Sequence, residues 1–322
     1  MTAPGRFASI EAATQVRIPV QVSGLGTVEI AGWLSAPDAV SHDLLQILVH
    51  GANYTHLYWD FPYQPETYSY VRWARERGFA TLAIDQLGAG QSSRPQGEKV
   101  TNHAIAEALH GVVQAARSSG IAGHVFKRIV LVGHSAGSLA SGLESFTYDD
   151  ADAVVLTGIL GPNTSGIINQ EPRIDNMYVP AAEDAVLGGR AAMGDREYQT
   201  LRPEFRAAVF FRVPPADPAL IVLDETLKDT QANGQWATYG DAAEACGRLR
   251  CPTLVVNGQY DAFHFKPETE DDITPALERA KAIATSNYTF APMVKNMGHN
   301  LNQHPGAREV YRTIGDWVGR LG

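Results

Sequence analysis

Only two cysteines, Cys246 and Cys251, occur among 322 residues. They could form a single disulfide, but without a visible secretory signal the two thiols are read as free. No apolar run approaches the ~20 residues that a membrane-crossing helix requires. Residues 1–10 show neither a basic start nor an apolar stretch, so a cytoplasmic location is expected. Positive charge is also scarce: 26 Lys and Arg stand against 35 Asp and Glu, a formal net charge of −9. These cations form no cluster, which argues against nucleic acid as a partner, because neutralising phosphates needs grouped Lys and Arg. No Cys/His array has zinc spacing. His50, His56, His103, His110 and His124 are scattered through different elements, as ordinary hydrogen-bonded histidines are, and no metal is expected. Internal repeats and low-complexity segments are missing too, and no feature speaks to an oligomeric state.

What is present is enough apolar residue, 44% of the chain, to bury one large domain or a core with an insertion. Val16, Ile18, Val20 and Val22 alternate with Gln15, Arg17, Pro19 and Gln21, the period of a half-buried strand. Val28 to Leu34 is its expected hairpin partner. Short apolar strands then alternate with helical segments: Leu44 to Val49, helix Thr67 to Arg77, Ala80 to Ile84, helix Asn102 to Ser118, Ile129 to Val132, helix Ser138 to Phe146, and Ala153 to Thr157. This alternation predicts an α/β fold with a mostly parallel sheet flanked by helices. From about residue 161 to 247 the rhythm fails. Helices are expected there near Ala181 to Leu187, Pro203 to Phe211 and Pro218 to Ala232, punctuated by prolines, so the stretch reads as an inserted helical cap. Residues 1–160 and 248–322 would then form the core, the latter with strand Thr253 to Asn257, helix Thr274 to Thr285, strand Asn287 to Met293 and helix Ala307 to Leu321.

Gly133-His134-Ser135-Ala136-Gly137 follows the apolar run Ile129 to Val132 directly. A strand that turns sharply into a helix exposes a serine hydroxyl at its apex, and flanking glycines allow the close backbone approach that such a turn needs. A hydroxyl is a poor nucleophile unless a base takes its proton. The chemistry thus demands a histidine, a carboxylate to orient it, and backbone donors for an oxyanion. His299, in Gly298-His299-Asn300, and Asp261, in Gly258-Gln259-Tyr260-Asp261, both follow expected strands, at the same sheet edge as Ser135. The first oxyanion donor is expected from the Ala136 amide. The second should come from the loop His50-Gly51-Ala52-Asn53, with the Ala52 amide the first choice and Asn53, through its backbone or side chain, the second. His50 is read as a brace for that loop, and Asp85-Gln86-Leu87-Gly88-Ala89-Gly90-Gln91-Ser92 as a tight loop supporting the same edge.

Taken together, His50-Gly51, the Asp-x-x-Gly-x-Gly-x-Ser pattern from Asp85, the elbow at Gly133 to Gly137, and Gly298-His299 give the chain a resemblance to the α/β-hydrolase fold family. Their order, in register with the strand pattern across residues 15–321, makes the match specific. The resemblance implies an eight-stranded-type, mostly parallel α/β-hydrolase sheet, a cap after its sixth strand, a Ser135, Asp261 and His299 triad, and no metal or organic cofactor. The serine sets the chain apart from haloalkane dehalogenases and most epoxide hydrolases, whose corresponding position holds aspartate. Gly-Gly and His-Gly-Gly-Gly oxyanion loops are absent, against a proline iminopeptidase or hormone-sensitive-lipase type. Some relatives take the acid from the strand before the cap, so Asp261 has rivals, and Asp271 and Asp272 also lie nearby. Glu268 to Asp272 otherwise reads as a solvated acidic run. His304, before Pro305, is the rival to His299 and reads as a surface or capping residue.

Tyr54, Tyr58, Trp59 and His134 are candidate walls of an acyl pocket, the aromatic series being equally suited to anchoring a long loop. Met177, Tyr178, Met193, Phe205, Phe210, Phe211, Trp236 and Tyr239 either line the cavity or glue cap to core. The expected activity is hydrolysis of a moderately sized hydrophobic ester, lactone or thioester, a small-molecule acyl substrate. Acyl transfer or cyclisation through the same intermediate is the alternative, and a non-enzymatic small-molecule receptor on this fold is another.

Overall fold

The computed structural model describes residues 13–37, 43–160, 177–189, 197–264, 277, 278, 280–282 and 284–321. The N-terminal alternation forms a hairpin: β1 (Thr14–Val22) pairs antiparallel with β2 (Gly26–Ser35), setting Ile18 opposite Ile30. Ile18, Val20 and Val22 are buried and their polar neighbours exposed, so this strand meets the core on one face. Every residue of β3 (Leu44–Val49), β4 (Ala80–Ile84) and β6 (Ala153–Thr157) is buried, as is all of β5 (Arg128–His134) except Arg128. Continuous apolar runs of this kind belong to strands covered on both sides. On β3 the side chains alternate between two layers. Leu45, Ile47 and Val49 join one apolar cluster, and Leu44 and Leu48 the other.

The expected helix Thr67 to Arg77 is broken in two, α1 (Pro65–Tyr68) and α2 (Tyr70–Glu76). Ser69 lies between them with extended backbone, and its Oγ accepts the Arg72 N–H at 3.0 Å. A hydroxyl that caps a new helix ends the preceding one. The longer helices α3 (Asn102–Arg117) and α4 (Ala136–Tyr148) cover one sheet face through Ile105, Val112, Leu139 and Leu143.

Between β6 and the next sheet strand runs an insertion whose described residues form short strands as well as helices. It holds β7 (Tyr178–Pro180), β8 (Tyr198–Leu201), α5 (Pro203–Phe210), α6 (Pro218–Leu227), β9 (Gln231–Ala232) and α7 (Asn233–Ala237). β7, β8 and β9 form a separate antiparallel sheet. Strands of two to four residues are too short to display a period of two, which is why they escape a sequence reading. The helix expected from Ala181 to Leu187 is a single 3₁₀ turn, Ala181–Glu183. Asp184 ends it: its Oδ1 accepts the N–H groups of Val186 and Leu187 at 2.9 and 3.0 Å, a local turn that competes with helix. α8 (Tyr239–Ala245) returns to the large sheet, burying Ala242 and Ala245 in the cluster that contains Leu139.

β10 (Thr253–Val256), β11 (Tyr288–Phe290) and α9 (Ala307–Gly319) complete the chain. Of the helix expected from Thr274 to Thr285, residues 277, 278 and 280–282 are helical and residues 284 and 285 have left it, while residues 274–276, 279 and 283, together with Asp271 and Asp272, lie outside the described residues. The large sheet has eight strands in the order β1-β2-β4-β3-β5-β6-β10-β11. Both pairings of β2 are antiparallel and all the others parallel. α9 buries Val310, Ile314 and Val318 on the second face, beside Val71 and Trp73 of α2. No helix among the described residues is long and apolar enough to cross a membrane.

Candidate active site

β5 ends at His134 and α4 begins at Ala136, so Ser135 alone makes the turn, at φ 52° and ψ −119°. A non-glycine residue on this side of backbone space is strained by about 1–3 kcal/mol and persists only where its surroundings enforce it. The enforcement is steric. A Cβ at Gly133 would come within 2.5 Å of the Gly137 carbonyl oxygen, and one at Gly137 would collide with the carbonyls of Val49 and His50. The Ser135 N–H donates to the Thr157 carbonyl at 2.8 Å, tying the turn to β6. Ala136 is the first residue of α4, so its N–H has no acceptor within the helix.

Asp261 follows β10 and His299 follows β11, and the two meet. His299 Nδ1 donates to Asp261 Oδ2 at 2.8 Å, while Asp261 Oδ1 accepts the Phe263 N–H at 3.0 Å. Burial acts to raise the Asp261 carboxyl. The charges of His299 and His264 and the N–H donors of His299 and Phe263 outweigh it and hold the group below its usual range. The other ring nitrogen of His299, Nε2, is buried and has no hydrogen-bond partner among the described residues.

Ser135 and His299 line the same cavity, of about 650 Å³ counting its open mouth. Gly51, Ala52, Tyr54, His134, Ala136, Leu139 and Ile159 form its core side, and Tyr178, Phe210, Gln231, Gln235 and Trp236 come from the insertion. Of the candidate wall residues, Tyr54 and His134 border the cavity, whereas Tyr58 and Trp59 do not. Tyr58 stacks on His134 with ring centroids 4.2 Å apart, and Trp59 meets Tyr58 edge-on. Both are fully buried, so the anchoring role applies to them. Burial, followed by the charge of neighbouring His299, pushes His134 well below its ordinary value. It is a neutral ring whose Nδ1 donates to Thr157 Oγ1 at 3.1 Å.

The oxyanion-loop candidates also separate. Ala52 borders the cavity and Asn53 does not. The Asn53 N–H is already spent on the Thr230 carbonyl at 3.3 Å and its Oδ1 on the Leu201 N–H at 2.9 Å, so its backbone N–H is not free to serve as an oxyanion donor. His50 is a brace: its Nε2 accepts the Gln86 N–H at 3.0 Å and its Nδ1 donates to the Gly51 carbonyl at 2.7 Å. Asp85 braces the neighbouring loop in the same way, accepting the backbone N–H groups of His56 and Gln91, each at 2.7 Å.

His304 is not at the surface. Its Nδ1 donates to the Asn300 carbonyl at 2.7 Å, and its Nε2 faces the N–H groups of Arg212 and Gly298 at 3.0 and 3.2 Å. Burial lowers its pKa to about 4, so it clamps the His299 loop as a neutral ring. From the insertion, Tyr178, Phe210, Trp236 and Tyr239 reach the cavity. Met177, Phe205 and Phe211 pack beside it in the apolar cluster, and Met193 lies outside the described residues. Sequence reasoning missed Phe263 and His264, which also border the cavity. His264 Nε2 donates to the Gly158 carbonyl at 2.9 Å, holding the Asp261 loop to the end of β6. Their only advance signal was membership of that loop. Among the described residues, His110, Glu144 and Asp150 are close enough together to share a cation, but they do not border the cavity.

A sequence profile described as the alpha/beta hydrolase family matches residues 46–310. Solved structures with the same fold include an esterase from Exiguobacterium antarcticum, with 14% identity, coverage of 94% of this chain and 100% of that one, and a TM-score of 0.63. An esterase from a Rhodococcus species gives 16% identity, 97% and 100% coverage and a TM-score of 0.61. An epoxide hydrolase from Vigna radiata gives 14%, 97% and 99%, and 0.66. At these identities the likeness is one of fold. No match was found among curated proteins.

Proposed function

This chain belongs to the alpha/beta hydrolase family, and from that premise we propose that it is a serine hydrolase of carboxylic esters, lactones or thioesters, with Ser135 as nucleophile, His299 as base and Asp261 as its orienting acid. The observation that carries the reading is the paired His299 ring. One nitrogen is fixed by buried Asp261 at 2.8 Å, and the other has no hydrogen-bond partner among the described residues and lies in the ring that lines the cavity with Ser135.

In this reading the substrate carbonyl lies against Ser135 with its oxygen toward the amides of Ala136 and Ala52. His299 Nε2 takes the hydroxyl proton as Oγ attacks, and the anionic Asp261 stabilises the imidazolium. The two amides receive the charge that develops on oxygen. The imidazolium then protonates the departing alkoxide or thiolate, and water, activated by the same ring, releases the acid. Serine at the elbow favours this acyl chemistry over the alkyl-ester route of relatives that carry aspartate there. Tyr54, Leu139, Ile159, Phe210 and Trp236 make the walls largely apolar, which favours a hydrophobic acyl or alcohol group of moderate size. The insertion acts as a cap that shields the intermediate from bulk water.

A fluorophosphonate probe should label Ser135, and Ser135→Ala should lower ester turnover at least about 10³-fold. The assay is a panel of p-nitrophenyl esters and lactones of graded chain length. Unlabelled folded protein, or a Ser135→Ala variant as active as the parent, would overturn the reading.

A further inference from the structure

We infer that Asn53 is a positioning residue through which the insertion holds the oxyanion loop in its working shape, an inference that rests on the serine-hydrolase reading. Asn53 follows Ala52 directly, is fully buried, and has φ 64°. Three of its polar groups are used, and each partner belongs to the insertion. Its N–H donates to the Thr230 carbonyl at 3.3 Å, its carbonyl accepts the Asp229 N–H at 3.0 Å, and its Oδ1 accepts the Leu201 N–H at 2.9 Å. The peptide that carries the proposed second oxyanion donor is therefore fastened on its C-terminal side to the insertion rather than to the sheet.

The fastening is itself rigid. Asp229 Oδ1 pairs with Arg94 at 2.9 Å, and its Oδ2 accepts the Gly90 N–H at 2.9 Å. Arg94 also donates to Thr230 Oγ1 at 2.6 Å. Thr200 Oγ1 donates to the Asp229 carbonyl at 2.9 Å, joining the segment to β8. A left-handed residue such as Asn53 has no intrinsic preference strong enough to hold that conformation, so these bonds supply the restraint. An oxyanion donor acts by preorganisation, and small displacement of its N–H removes most of its effect on the transition state while leaving ground-state binding intact. Asn53 thus makes assembly of the oxyanion site depend on a seated insertion, so that water exclusion and transition-state stabilisation arrive together.

The test separates anchoring from backbone strain. Asn53→Ala removes the Leu201 acceptor and keeps the strained φ. Asn53→Gly removes the same acceptor and relieves the strain, so it should melt higher than the alanine variant. Thr200→Val loosens the Asp229 carbonyl from the opposite side with nearly unchanged volume, and it remains informative should both Asn53 variants fail to fold. In folded protein we expect Asn53→Gly to lower kcat about tenfold or more with KM within about twofold. Thr200→Val should give a smaller change of the same kind. Affinity for a trifluoromethyl ketone, which forms a tetrahedral oxyanion on serine, should fall in parallel with kcat/KM. Full kcat in Asn53→Gly, or in Thr200→Val should the former not fold, overturns the inference, as does a loss expressed only in KM. Ester turnover that survives Ser135→Ala overturns the serine reading and this inference with it. An inactive Ser135→Ala beside an unchanged Asn53→Gly overturns this inference alone.

Discussion

The sheet and the insertion meet at one cavity, yet they are held by different forces. The strands β3 to β6 are packed with aliphatic side chains on both faces, and burial of that kind is non-directional. In the insertion, charged groups are buried in pairs. Arg206 meets Asp224 at 2.6 Å with both side chains almost wholly buried, and Lys228 meets Asp184 at 2.6 Å. The Arg206 guanidinium also lies 4.5 Å over the Tyr54 ring, and Tyr54 lines the cavity. Asp224 takes a further hydrogen bond from Gln303 at 2.9 Å, which connects it to the His299 loop. The insertion adds these directional contacts to its apolar packing, and the sheet gains its stability from area. The lesson is that the two should fail differently.

The largest stability effect is expected in the insertion. Asp224→Ala strands the Arg206 cation in a buried site, with Glu225 still 3.8 Å away, at a cost of about 3–5 kcal/mol. Urea denaturation measures it. The double variant Arg206→Met, Asp224→Leu should recover most of that loss, because two apolar side chains leave no charge unpaired. No recovery would mean that the pair is not where the stability lies. In the sheet, Leu131→Ala, at a position with no exposure, should cost about 3 kcal/mol through lost transfer energy and a residual cavity. No second substitution of a polar partner should rescue it.

The smallest effect sharpens the contrast through a misfit in the core. Glu144 of α4 is fully buried, with Asp150 beside it and His110 Nδ1 3.9 Å from its Oε1. Burial first, then Asp150 beside it, pushes its pKa up to about 10. The folded state keeps this proton while the unfolded chain releases it above the ordinary value of 4.5. Stability contributed here is complete at acid pH and declines as pH rises from 4.5 toward 10. Glu144→Gln, neutral at every pH, should raise stability by on the order of 2 kcal/mol at pH 8, with the gain shrinking toward pH 5. Parallel melting curves across that range would show it. A gain that does not vary with pH would refute the assignment.

Much of the fold was legible because its signals are local. The period of two in β1, the apolar runs of β3 to β6 and the glycines around Ser135 each express a constraint confined to a few residues. The break at Ser69 and the turn at Asp184 were harder, since a side chain bonding to nearby backbone overrides a pattern that continues through it. β7 to β9 were illegible because two to four residues carry no period. At the candidate site, the order of Ser135, Asp261 and His299 along the chain was readable, and the structure brings Asp261 and His299 into contact. The walls were not readable. Tyr54 and Tyr58 lie four residues apart in one aromatic series, but Tyr54 faces the cavity and Tyr58 stacks behind His134.

Sequence alone determined the mostly parallel layered sheet, the strained turn at Ser135 and the chain order of the three proposed catalytic side chains. Each follows from sterics and periodicity acting over short spans. Tertiary structure decided which rings border the cavity, that Asn53 binds the insertion instead of facing the cavity, and that His304 is a buried clamp. The bond of Asn53 to Leu201 spans 148 residues and that of His304 to Arg212 spans 92, and a contact of that kind leaves no trace in the local pattern of either segment.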